Sequence, residues 1–201
     1  MSAVVQEQVR EQGMKIHRLT AEDFYRMIDA GILGPKNRVE LWDGQLVEKM
    51  GKNQPHQISM IKLLRMLNAI FQSGWFVSPE GSIQLDLLKV PEPDIAIVRG
   101  EPEDYPKRPP KAKDVGLLIE IADSSIRIDQ GIKKAAYAGR KIPVYWIVNL
   151  VERRVEVYSK PEGRGKKADY RRLKTYAGNE LVPLELDGAV VAQIEAKAIL
   201  P

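Results

Sequence analysis

Cysteine is absent from the 201 residues, and histidine occurs only as His17 and His56. Disulfides, thiolate metal sites and cysteine nucleophiles are thereby excluded, as is any centre built on several imidazoles. A metal site in this chain must lean on carboxylates, which select a hard ion such as Mg2+ or Mn2+. The lack of cysteine also fits a cytoplasmic protein. No apolar run approaches the roughly 20 residues of a membrane span, and the first residues lack a basic segment followed by an apolar one. Neither a membrane anchor nor a secretory signal is expected. Residues 1–19 read as a polar leader open to disorder. Residues 20–201, with an apolar share of 44% over the whole chain, suffice for a single core, so one domain is expected there.

The net charge is +4, and its distribution says more than its size. Lys107, Arg108, Lys111 and Lys113 form one basic run. Lys160, Arg164, Lys166, Lys167, Arg171, Arg172 and Lys174 form a second. Both suit phosphates, and both equally suit a solvated loop and hairpin. For nucleic-acid binding the loop residues Lys160, Arg164, Lys166 and Lys167 are the candidates.

Thr20 with Asp23 has the form of a capping box, ahead of a helix bearing Phe24, Met27 and Ile28 and stopped by Gly31. Arg38–Trp42 and Gln45–Met50 flank Asp43-Gly44, a pair favoured in a tight hairpin turn. Pro55 opens a helix in which Ile58, Ile61, Leu64, Leu67 and Phe71 recur at helical spacing. Short strands are expected at Trp75–Ser78, Ile83–Leu87 and Asp94–Val98. Val115–Ile121 and Val144–Val148 are nearly continuous apolar runs, as strands buried on both faces would be. A helix over Arg127–Gly139 lies between them. Arg153–Tyr158 and Tyr170–Thr175 read as an antiparallel pair, and the chain ends in a short strand or two. The expected fold is α/β in the mixed sense: a mixed β-sheet flanked by helices, preceded by an N-terminal helix and β-hairpin.

Three features could carry chemistry. Pro91-Glu92-Pro93-Asp94 leaves Asp94 at the mouth of a strand, a place that suits either a turn cap or a ligand. Glu120 interrupts an apolar run, where a carboxylate needs either a basic partner or a bound cation. Asp129, Lys133 and Tyr137 are spaced four apart, so they share one helix face, whether as a plain ion pair or as part of a site. Two acids on neighbouring strands plus a lysine on the next helix are the minimum for metal-assisted phosphodiester cleavage.

Asp94 followed by Glu120-Ile121-Ala122 resembles the PD-(D/E)xK nuclease signature, with Ala122 where the lysine usually stands. Some members of that superfamily carry the lysine on the following helix, where Lys133 lies. The sequence is more closely similar to the Uma-two family, named for restriction endonucleases. The similarity is carried by Val39–Val47, Pro55-His56-Gln57, Pro91–Ile95, Leu118–Ile121, Asp129–Lys133 and Val144–Val148, and it spans roughly residues 20–190. It implies a restriction-endonuclease-like core and metal-dependent hydrolysis of DNA. In that reading Asp94 and Glu120 ligate Mg2+ (or Mn2+), with the Ile121 carbonyl as a third ligand. Lys133 orients the attacking water, and Glu40, His56 and Tyr137 are accessory, Tyr137 holding Lys133 or a phosphate. The basic loop Lys160–Lys167 would flank the cleft. Cutting both strands implies a homodimer, with the helix from Pro55 or the hairpin near Trp42 as the contact. The rival expectations are a catalytically inactive nucleic-acid-binding module on the same fold and a dimeric interaction protein.

Overall fold

The structure, a computed structural model, describes residues 12–34, 36–71 and 73–201, with the side chain of Lys166 left aside. Most of the expected leader lies outside the described residues. The chain forms two compact units: one runs up to Lys49 and takes in Leu87–Val90, and the other holds Met50–Asp86 and Pro91–Pro201.

In the smaller unit the Thr20 hydroxyl accepts the Asp23 N–H at 3.2 Å while the Thr20 N–H donates to the Asp23 carboxylate at 2.9 Å. That reciprocal pair starts helix α1 (Ala21–Asp29). The helix buries Ala21, Phe24 and Tyr25 against Leu33, Leu41 and Val90. Ile28, expected on the inner face, is exposed. Strands β1 (Val39–Trp42) and β2 (Gln45–Glu48) form the hairpin. Asp43 and Gly44 both have positive φ, 49° and 75°, as a primed two-residue turn requires.

The larger unit is built on a six-stranded sheet of order β3-β4-β5-β6-β7-β8, comprising Trp75–Pro79, Ile95–Arg99, Val115–Ala122, Val144–Asn149, Arg154–Glu162 and Asp169–Ala177. All neighbours are antiparallel except β5 and β6, which run parallel across a helical crossover. Both faces of β5 are buried. Leu117, Ile119 and Ile121 join one cluster, covered by helix α2 (Gln54–Ile70), the hairpin β9–β10 (Leu181–Leu186, Ala189–Glu195) and the short α5 (Ala196–Ile199). Leu118 and Ala122 join the other, with Tyr137, Tyr145, Tyr158 and Tyr170. No helix among the described residues is long and apolar enough to cross a membrane.

Three elements differ from the sequence expectation. Ile83–Leu87 is not a strand; only a single bridge joins Gln84 to Lys111. In that bridge the Gln84 N–H donates to the Pro110 carbonyl and the Gln84 carbonyl accepts the Ala112 N–H, while the Ile83 N–H donates to the Pro91 carbonyl. Pro91 has no N–H to donate, and no further bridge extends this segment among the described residues. The buried stripe of α2 is His56, Ser59, Leu63 and Leu67, and Ile61 points to solvent at 58% exposure. Apolar periodicity cannot find a stripe whose first two members are polar. The helix after β5 is not continuous: α3 (Ile126–Ile128) and α4 (Lys134–Gly139) flank a π-turn over Asp129–Lys133.

The turn at Gly44 offers a direct check on the hairpin. A Cβ there would lie 2.5 Å from the Arg18 Cβ and 3.0 Å from the Leu19 carbonyl oxygen, in a left-handed backbone. Gly44→Ala should therefore destabilise by roughly 1–3 kcal/mol. Chemical denaturation with an unaltered midpoint would contradict the turn as described.

Candidate active site

Ile95 of β4 pairs with Ile119 of β5, and one step further along lie Asp94 and Glu120. Both carboxylates are almost wholly buried, at 6% and 3% exposure, and the Asp94 N–H points at a Glu120 oxygen 3.4 Å away. Apolar strands bring them there, so their charges must be answered by side chains from elsewhere in the unit.

Asp94 is answered from the start of α2. Asn53 caps that helix by accepting the His56 N–H at 3.1 Å, and its amide also donates to Asp123. The cap sets Lys52 and His56 on either side of Asp94. Lys52 Nζ lies 2.7 Å from Oδ1, and His56 Nε2 lies 3.0 Å from Oδ2, which also accepts the Ile121 N–H at 2.7 Å. Lys52 reaches Glu80 as well, and the Glu80 N–H donates to the Asp94 carbonyl at 2.9 Å.

Glu120 is answered from the helical crossover. Tyr137 donates its hydroxyl at 2.8 Å, and Lys133 Nζ lies 3.0 Å from the same oxygen. Lys133 also lies 3.1 Å from a buried Asp129 oxygen, a charge contact rather than an aligned hydrogen bond. Single π-turns inside helices are frequent at functional sites, and this one carries Asp129 and Lys133.

These contacts hold Asp94 and Lys52 in their charged forms. Burial is the largest influence on Asp94 and pushes its pKa up. The His56 hydrogen bond and the Lys52 charge outweigh it and hold the carboxyl down at about 2. For Lys52, burial favours the neutral amine, but Asp94 and Glu80 prevail and raise its pKa. Burial, then the charges of Glu120 and Asp129, keeps the Tyr145 hydroxyl protonated far above its usual range.

The structure thus gathers Asp94, Glu120, Lys133, His56 and Tyr137 in one cluster. Tyr137 is fully buried and bonds Glu120, so its expected phosphate contact does not suit it. Glu40 belongs to the other unit, where its carboxylate accepts the Trp42 indole N–H at 2.6 Å. Lys160, which lies within β7 rather than in the expected loop, and Arg164 and Lys167 beyond it are exposed, but they do not flank the carboxylates. Glu120, Ile147, Glu156 and Thr175 form one row across the sheet, and β7 runs from that row towards Glu162, roughly 20 Å along the strand. The Lys166 side chain lies outside the described residues.

Two site features escaped the sequence. Lys52 sits in a stretch that reads as plain loop. Glu156 is fully buried in the same row as Glu120, and its carboxylate accepts Gln130, Asn149, Arg154 and Tyr158 at 2.7–3.2 Å. Gln130 lies inside the π-turn, so Glu156 holds a side chain of the turn that carries Lys133.

Among the described residues no three histidine or acidic side chains come together as a metal-holding group. Mg2+ commonly needs only one or two carboxylates, filling its shell with water and substrate phosphate. Two buried carboxylates on adjacent strands are a donor set that fits such an ion.

The fold and cluster together define a mixed α/β protein with a carboxylate–lysine centre at one end of its sheet. The family model described as "Uma2: Putative restriction endonuclease" matches residues 21–192, and the chain belongs to that family. Its fold is similar to the crystal structure described as "a putative nuclease belonging to DUF820 from Anabaena variabilis ATCC 29413". That likeness has a TM-score of 0.66 at 14% identity, over 90% of this chain and 97% of that one. No curated protein matches.

The Asp94 environment has a consequence for acid stability. A folded value of about 2 against 3.8 means that Asp94 stabilises the fold above pH 3.8, and that this share is lost as pH falls towards 2. The share is about 2 kcal/mol. In urea titrations between pH 6 and pH 2, Asp94→Asn should lack that part of the acid decline; parallel curves for the two proteins would contradict it.

Proposed function

We propose that the protein is a metal-dependent endonuclease that hydrolyses phosphodiester bonds of DNA. The observation that carries this reading is the meeting of Asp94 and Glu120 with Lys133, 3.0 Å from Glu120, in a chain of the Uma2 family. Asp94 and Glu120 would hold Mg2+ or Mn2+, with the Ile121 carbonyl as a third ligand. A divalent ion there supplies positive charge for the phosphate oxygens and lowers the pKa of water. Lys133 orients the attacking water and steadies the charge that develops on phosphorus-bound oxygen. Tyr137 fixes the Glu120 oxygen that Lys133 shares. His56 holds one Asp94 oxygen in place. Because duplex cleavage calls for two centres, we include a twofold dimer in the proposal.

One observation favours a second reading. Both carboxylates already have lysine partners, as they would in a module that binds nucleic acid without cutting it. Supercoiled plasmid separates the two. The endonuclease nicks it only with Mg2+ or Mn2+, Asp94→Ala abolishes product, and Lys133→Ala slows it about 100-fold or more. Salt-sensitive DNA binding with no nicking in either metal would establish the binding module. Sedimentation of the same preparations tests the dimer.

A further inference from the structure

Asp94 has two carboxylate oxygens with unequal surroundings. Oδ2 is taken by the Ile121 N–H at 2.7 Å and His56 Nε2 at 3.0 Å. Among the described residues Oδ1 has one polar partner, Lys52 Nζ at 2.7 Å. Any cation that binds Asp94 must therefore approach Oδ1, where an ammonium already stands. Two positive charges on one oxygen repel, and the repulsion is strong in a site this poorly hydrated.

Lys52 also has a second place to rest. Glu80 already touches its ammonium, is half-exposed, and is tied to Asp94 by the hydrogen bond from its N–H to the Asp94 carbonyl. The ammonium can shift wholly onto Glu80 without leaving the site or becoming unpaired.

We infer that Lys52 is a resident counter-cation which competes with the divalent ion for Asp94 Oδ1 and moves onto Glu80 when that ion binds. This rests on Asp94 and Glu120 being the metal ligands. Lys52 neutralises Asp94 while no divalent ion is bound, so the two carboxylates can be buried together. It lowers metal affinity as a consequence. The displaced ammonium remains at the mouth of the site, where a substrate phosphate would meet it.

Calorimetric titration of the full chain with Mn2+, without DNA, tests the inference independently of turnover. Lys52→Met removes the competing charge and keeps the length of the side chain; it should bind Mn2+ about tenfold more tightly than the wild type. Lys52→Arg, which keeps a cation, should not show that gain. Glu80→Gln removes the alternative resting place from a half-exposed position that tolerates change. It should weaken Mn2+ binding several-fold, and the loss should persist in about 0.5 M salt, where a merely remote carboxylate would be screened. Wild-type binding with equal or weaker affinity in Lys52→Met overturns the competition and leaves the metal reading intact. Should Lys52→Met not fold, an unchanged affinity in Glu80→Gln overturns it. If neither the wild type nor Lys52→Met binds Mn2+, and Asp94→Ala behaves like both, the metal reading falls and the competition with it.

Discussion

Burying Asp94 and Glu120 next to each other is the constraint to which the rest of the larger unit responds. The carboxylates sit at the ends of apolar strands, where desolvation and mutual repulsion both oppose their charge. Two separate elements supply the compensation. The start of α2 brings Lys52 and His56 to Asp94, and the crossover between β5 and β6 brings Lys133 and Tyr137 to Glu120. A parallel pair of strands needs such a crossover in any case. Here the crossover also delivers the cation.

The π-turn is the segment of the crossover that carries this cation. Asp129 and Lys133, an i,i+4 pair 3.1 Å apart, both lie in it, and the Gln130 side chain within it bonds Glu156. Glu156 has four side-chain partners, and their hydrogen bonds bring its pKa below the usual range although burial, the largest single influence, acts the other way. A buried, charged and fully partnered glutamate is a rigid anchor. Lys133 is thus held by the two carboxylates it touches, in a turn whose Gln130 side chain is tied to Glu156.

Much of this was legible in the sequence. Continuous apolar runs marked β5 and β6, Asp43-Gly44 marked the hairpin, and a charge breaking an apolar run singled out Glu120. What stayed hidden has physical causes. Lys52 precedes a helix cap, and nothing local distinguishes it from other loop lysines; only the fold brings Asp94 to it, 42 positions further along the chain. In β7 the alternation of Val155 and Val157 with Glu156 and Tyr158 suggests one wet face, yet both faces are buried. The basic loop after Lys160 carries the charge expected of a phosphate contact, and strand register, which composition does not encode, sets it at the far end of the sheet.

We propose Asp94 and Glu120 together as the seat of a divalent ion. Anomalous diffraction from crystals soaked in Mn2+ addresses it most directly, because the scatterer reports its own position. One Mn2+ per chain is expected between the Asp94 and Glu120 carboxylates, with Lys52 turned onto Glu80. Mn2+ bound only at surface carboxylates, with Lys52 still on Asp94 at saturating metal, would contradict it.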